Sequence, residues 1–111
     1  MKQWRDREEF KARVFEWASK LRVPAKALYV RPMRTKWASC STAGTFSFND
    51  ELLGMAQDLG DYVIVHELLH FSVPNHGKLW KSLMRAYLGD YEEKEARLKK
   101  ASRLSGDFGA I

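Results

Sequence analysis

Apolar positions recur along this chain with two different periods, and the change of period separates helices from strands. Phe10, Val14, Trp17 and Leu21 follow one another at helical spacing and predict one stripe facing a core. Asp6 stands where an N-cap belongs, with Glu9 three residues later as in a capping box, and Pro24 follows the expected end. The pattern then shortens. Leu28, Tyr29 and Val30 predict a strand over Ala27–Arg31 that Pro32 ends, and Thr35–Cys40 is a second candidate strand. Thr42-Ala43-Gly44 reads as a turn, after which Thr45-Phe46-Ser47-Phe48 alternates polar and aromatic residues at a period of two.

Helical spacing returns beyond it. Asn49-Asp50 is expected to cap a short helical segment from Glu51 to about Ala56, and Asp61 to cap a longer helix that begins with the apolar run Tyr62–Val65. Pro74 stops that helix, because proline can neither donate the next hydrogen bond nor tolerate a helical predecessor. Leu79, Leu83, Ala86 and Tyr87, with Trp80 and Met84 beside them, mark a further helix ending at Gly89. A last helix is expected from about Tyr91 to Leu104. Glu93–Arg97 and Glu95–Lys99 support it at i,i+4, but its apolar stripe of Tyr91, Leu98, Ala101 and Leu104 is thin. Such a helix docks weakly or is stabilised by a partner, a second copy of the chain included. The residues after Leu104 form a tail carrying Phe108 and Ile111.

Composition narrows the class. At 111 residues and 45% hydrophobic content, the chain closes one modest core, so residues 1–111 are expected to form a single domain. One cysteine allows no internal disulfide, which favours a reducing compartment. The first residues carry no apolar signal region and no stretch approaches the ~20 apolar residues of a membrane span. A cytoplasmic protein with no membrane partner is the expectation. The net charge of +5 is scattered among acids. Arg31, Arg34 and Lys36 form a compact cluster that reads as a solvated face, and no basic–aromatic repeat offers a nucleic-acid platform.

All three histidines fall within one short stretch, His66-Glu67-Leu68-Leu69-His70 and then His76. Residues four apart on a helix share a face about 6 Å apart along the axis, so His66 and His70 can point at one ion with Glu67 beside it. This is the H-E-x-x-H pattern: two zinc ligands and a general base for metal-assisted hydrolysis. An open catalytic zinc site has three protein ligands, and the turn at Pro74 makes His76 the natural third. Three imidazoles suit zinc best among common ions. The bland alternative is a pair of satisfied histidines with His76 incidental. The spacing to His76 also matches metzincins, but Val73 stands where they use glycine, and a β-branched residue resists positive φ.

A second signature, Trp37-Ala38-Ser39-Cys40-Ser41-Thr42-Ala43-Gly44-Thr45-Phe46-Ser47-Phe48-Asn49, precedes the histidines. Together with Tyr62–His70 and Asn75-His76-Gly77-Lys78-Leu79-Trp80 it resembles the minigluzincins, minimal zinc metallopeptidases similar to the catalytic domains of membrane CAAX-prenyl-protease-like peptidases. The resemblance covers about residues 27–88. It implies an α+β zincin-like fold, a small three-stranded sheet packed on helices that carry the zinc motif. It places one catalytic zinc on His66, His70 and His76 and the catalytic carboxylate on Glu67. It also allows latency through a C-terminal segment, here about residues 90–111. Separately, the tail or the thin last helix is a candidate cover for the cleft, with Asp107 as a carboxylate to the metal and Phe108 in a side-chain pocket; a tail that docks nowhere is the competing reading. Ala38 departs from the glycine frequent in relatives. Tyr87, Tyr91 and Arg34 are all available to stabilise an oxyanion, and no motif selects among them.

The expected activity is therefore hydrolysis of a protein or peptide substrate. Thr45–Phe48, as a sheet edge above the cleft, would let an extended substrate add as a further strand. Cys40 reads as a small buried hydrophobe rather than a ligand or nucleophile. The same residues also admit a metal-dependent nucleotide phosphohydrolase, a DNA-associated protease of the Spartan type, and a non-catalytic zinc module. Protein against nucleoside triphosphate as substrate, salt-dependent DNA binding, and zinc binding without hydrolysis separate them.

Overall fold

The computed structural model describes residues 3–73 and 77–101. The turn at Pro74, His76, the last turn of the expected C-terminal helix and the tail with Asp107 and Phe108 lie outside the described residues. Four α-helices and three strands follow in the order α1 (Arg7–Leu21), β1 (Ala27–Arg31), β2 (Ala38–Cys40), β3 (Thr45–Asn49), a short 3-10 helix (Asp50–Gly54), α2 (Gln57–Ser72), α3 (Lys78–Leu88) and α4 (Tyr91–Ala101). The α+β class and the three-stranded sheet expected from the sequence are what the chain adopts.

Helix α1 starts as its sequence indicates, with the Asp6 side chain accepting the Glu9 N–H at 2.9 Å. Glu9 reaches back one residue further than a capping box requires and accepts from the Arg5 N–H at 2.7 Å. Phe10, Val14 and Ala18 face the core, while Trp17 and Leu21 pack at its margin.

The sheet order is β1-β3-β2, with β1 parallel and β2 antiparallel to β3. Thr45–Phe48 is thus the central strand, not the edge that strand addition would need. The reason is burial: Phe46 and Phe48 are fully buried, and a strand this apolar is flanked on both sides. Facing partners share a side of a sheet, so the register puts Leu28, Val30, Phe46, Phe48, Ala38 and Cys40 on one face. Phe48 meets Phe10 of α1 at 5.5 Å and Phe46 meets Phe71 of α2 at 5.7 Å, which closes the core over that face.

The second strand is shorter than its expected Thr35–Cys40. The fully buried Asn49 amide donates to the Met33 and Lys36 carbonyls at 2.8 and 3.0 Å, holding residues 32–37 as a loop before the strand starts. The same side chain accepts from the Glu51 N–H and opens the 3-10 helix. Gly44 closes the β2–β3 turn at φ 93°, a conformation that costs glycine little. A Cβ there would also stand 2.9 Å from the Pro24 carbonyl.

Two helical expectations need correction. Helix α2 begins at Gln57, so Asp61 lies inside it and does not cap it. Its carboxylate instead takes Arg13 Nη1 at 2.8 Å from both oxygens and the Trp17 indole N–H at 2.9 Å, tying α1 to α2. Gly60 also lies inside this helix, with the Trp4 indole packed so close that an added Cβ would meet the ring at 2.6 Å. In α3 the inward face is Trp80 and Met84, with Leu83 and Leu88 beside them, rather than Leu79, Ala86 and Tyr87. Leu79 is 61% exposed. The two stripes differ by one position, and the larger ring takes the core. No helix among the described residues is long and apolar enough to cross a membrane.

Candidate active site

Helix α2 is buried all round. From Leu59 to Leu69 every residue except Asp61 is buried. Amphipathic spacing cannot explain two charged or polar side chains, His66 and Glu67, each only 3% exposed in that stretch. Burying such groups is costly unless something satisfies them.

His66 and His70 lie one turn apart with ring centroids 5.0 Å from each other, as their i,i+4 spacing predicts. Trp80 of α3 closes the side of the pair, edge-on to His66 at 4.9 Å and 6.3 Å from His70. Tyr62, one turn before, flanks His66 at 5.6 Å. Behind Trp80 stands Tyr91 of α4 at 6.0 Å. The histidines are thus held in an aromatic wall that limits their rotation and keeps water from their flanks. His76 is one residue before Gly77, the N-cap of α3, but lies outside the described residues.

Glu67 is held differently. Its Oε2 is buried without a hydrogen-bond partner among the described residues, and burial pushes its carboxyl above the usual carboxylate range. Two groups act the other way, the Cys40 thiol and the Lys36 ammonium. The thiol responds in turn. Burial first, then the facing carboxylate, push the Cys40 pKa up to about 12. Cys40 therefore stays a neutral thiol near neutral pH, as a cysteine neither nucleophilic nor metal-binding would.

Cys40 is half-buried, not the buried hydrophobe that its strand position suggests, and its nearness to Glu67 was not legible. The only sequence signal was its place in the Trp37–Asn49 segment, two residues from Ala38 and so on the same face of β2. Trp80 likewise stood in the motif, yet its helical stripe drew attention to Leu79. Beside Cys40 opens a cavity of about 260 Å³, lined by Cys40, Ser41, Thr42, His70 and Phe71. It joins the end of the edge strand β2 to the outer histidine.

The donors present fit a divalent cation. Two imidazoles on one helix face, with a buried carboxylate between them in sequence, are donors of the type a divalent cation takes, though among the described residues they do not make up a group of three that could hold one.

Fold and site together define a metallopeptidase. The sequence matches the YgjP-like metallopeptidase domain over residues 2–101, and the chain belongs to that family. The crystal structure of the metallopeptidase zymogen of Methanocaldococcus jannaschii jannalysin is similar, with a TM-score of 0.75 and 27% identity over 83% of this chain and 95% of that one. The zymogen of Pyrococcus abyssi abylysin shares the fold, with a TM-score of 0.73 and 18% identity over 88% of this chain and 99% of that one. Both are minigluzincins, so the resemblance read from the sequence holds. No curated protein matches the chain in sequence. The family implies a catalytic metal and protein or peptide substrates.

Proposed function

We propose that the chain is a zinc-dependent peptidase in which His66, His70 and His76 hold the metal and Glu67 is the general base. The observation that carries this reading is the pairing of His66 and His70 at 5.0 Å with a buried Glu67 whose Oε2 has no protein partner among the described residues. When bound, zinc supplies Lewis acidity that makes water acidic near neutral pH and polarises a carbonyl. The chain supplies the rest. Glu67 accepts the proton of the attacking water and returns it to the leaving amine, a role suited to a carboxyl raised by burial. Trp80 and Tyr62 keep the ligand imidazoles oriented. Substrate pairing belongs to β2, the strand at the sheet edge beside α2, so an extended peptide would run along Ala38–Cys40 and drop one side chain into the cavity beside His70.

Latency is part of the same proposal. The two solved relatives are zymogens, and α4 is built into the core here through Tyr91 and Leu98. If this chain is latent in the same way, truncation after Leu104 should raise hydrolysis of a peptide substrate, and unchanged activity would count against latency.

The test pairs two variants. Glu67→Ala should keep stoichiometric zinc and lose about 10²- to 10⁴-fold in kcat on a peptide substrate. His70→Ala should lose both metal and hydrolysis. Undiminished hydrolysis by the Glu67 variant would remove the proposed base.

A further inference from the structure

The cavity beside His70 draws its walls from two elements. Cys40 comes from the end of β2, His70 and Phe71 from the last turns of α2, and Ser41 and Thr42 complete it where the chain leaves β2 for the turn to β3. That turn is fixed by its own hydrogen bonds. The Ser41 N–H donates to the Thr45 carbonyl at 2.9 Å, the Gly44 N–H to the Ser41 carbonyl at 3.1 Å, and the Ser41 hydroxyl accepts the Thr45 N–H at 3.2 Å. Phe71 is held from behind, its ring 5.7 Å from that of the fully buried Phe46. Rigid structure on both sides therefore keeps the cavity open.

Size and chemistry limit what can enter. At about 260 Å³ it exceeds the roughly 150 Å³ in which an apolar cavity takes up benzene, and it falls short of the roughly 300 Å³ at which pockets for drug-sized ligands begin. None of the lining residues is Asp, Glu, Lys or Arg. A charged side chain would lose hydration there and meet no opposite charge. An aromatic one meets the Phe71 ring, and aromatic pairs gain beyond the area they bury.

We propose that this cavity is a specificity subsite for an uncharged aromatic side chain of the substrate, phenylalanine first, with Phe71 as the wall it packs on and Thr42 at the rim. The side chain would come from a peptide lying along β2. Residues of an extended chain alternate between faces, and Cys40, paired with Phe46, stands on the face turned to α2.

This inference rests on the reading of the chain as a peptidase, and its test keeps the two apart. The full chain with zinc is offered peptides identical but for one residue, and kcat/KM is measured for each. Phenylalanine should be preferred to alanine by about 10²-fold, with aspartate and lysine no better than alanine. Thr42 is exposed in a turn, so replacing it spares the core. Thr42→Trp should fill the mouth and cut the phenylalanine-to-alanine ratio about tenfold. Thr42→Glu should raise lysine over alanine by about fivefold, the effect of one exposed ion pair. A weakened fold lowers every rate alike and leaves these ratios where they were. In the metal-free chain, N-acetylphenylalaninamide should shift the NMR signals of Thr42 and Phe71, and the alanine analogue should not. Equal cleavage of the phenylalanine and alanine peptides, a ratio that ignores Thr42→Trp, or a probe that shifts neither signal would overturn the subsite while the peptidase stands. Probe binding in a chain that cleaves none of the peptides would sink the peptidase reading, and the substrate subsite with it.

Discussion

Helices α2 and α4 lie against each other and could hardly be more different. In α2 the residues from Leu59 to Leu69 are buried apart from Asp61; in α4, Tyr91 and Leu98 are the buried side chains. A helix buried all round cannot place a polar residue by chance, so each one there has a partner or a task. Asp61 is satisfied by Arg13 and Trp17. His66 and Glu67 belong to the proposed site. In α4, charges are the default and carry little information singly. Its grip on α2 is polar: the Tyr62 hydroxyl donates to Glu95 at 2.9 Å, and Arg97 holds both oxygens of Asp58 at 2.7 and 3.2 Å. The lesson is that chemistry in this fold is written where burial makes it expensive, while the helix behind Trp80 is held by two buried side chains and a set of partly exposed polar contacts.

The largest effect that would sharpen this contrast is truncation of the core. Ile64→Ala in α2 should cost about 2–5 kcal/mol, because the surroundings of a fully buried side chain collapse little. Leu98→Ala should fall at the lower end of that range, since α4 is free to shift over the cavity it leaves. Urea midpoints for the two variants measure the difference. Equal losses would mean that α4 is as much core as α2.

A smaller effect probes why α2 starts where it does. Gly60→Ala should gain about 1 kcal/mol of helix propensity and lose about 1–3 kcal/mol by overpacking the Trp4 ring, for a net loss. Thermal unfolding of the variant alone, and again with Trp4→Phe, checks the mechanism. Relief of the loss by the smaller ring is the expected outcome; a stabilised single variant would show that Trp4 gives way.

That glycine also marks where the sequence stopped being readable. Elements set by local rules stood out: the Asp6 cap, the glycine turn before β3, the His66–His70 face of α2. What went unseen was decided by pairs distant in the chain. Position 60 needs a glycine because of Trp4, Asp61 is held inside α2 by Arg13 and Trp17, and β2 is short because Asn49 clamps the loop before it. The misplaced edge had the same cause: alternation identifies a strand but not its neighbours, and β3 is central only because β1 and β2 both come to it. Trp80 and Leu79 are adjacent, and one residue of helical phase decides which meets the histidines. The pairing of His66 with His70 was legible because its spacing is local; the nearness of Cys40 to Glu67 was not, because the two lie on different elements.

The smallest effect concerns the polar contacts of α4. Arg97 holds the Asp58 carboxyl below its ordinary value of 3.8, chiefly through their hydrogen bonds. A depressed acid contributes stability that is full above that value and is lost as pH falls through the lower folded value. The window therefore lies below pH 3.8. Because the Asp58 side chain is 41% exposed, the pair is worth at most about 0.2–1 kcal/mol once solvent screening is allowed for. Arg97→Met should accordingly lower the melting temperature slightly at neutral pH, and the gap to the parent should close on acidification. High salt should narrow it as well, since an exposed pair is screened. A gap that persisted in acid would place the value of Arg97 in the packing of its aliphatic stem against α2, and would make α4 more like α2 than its charges suggest.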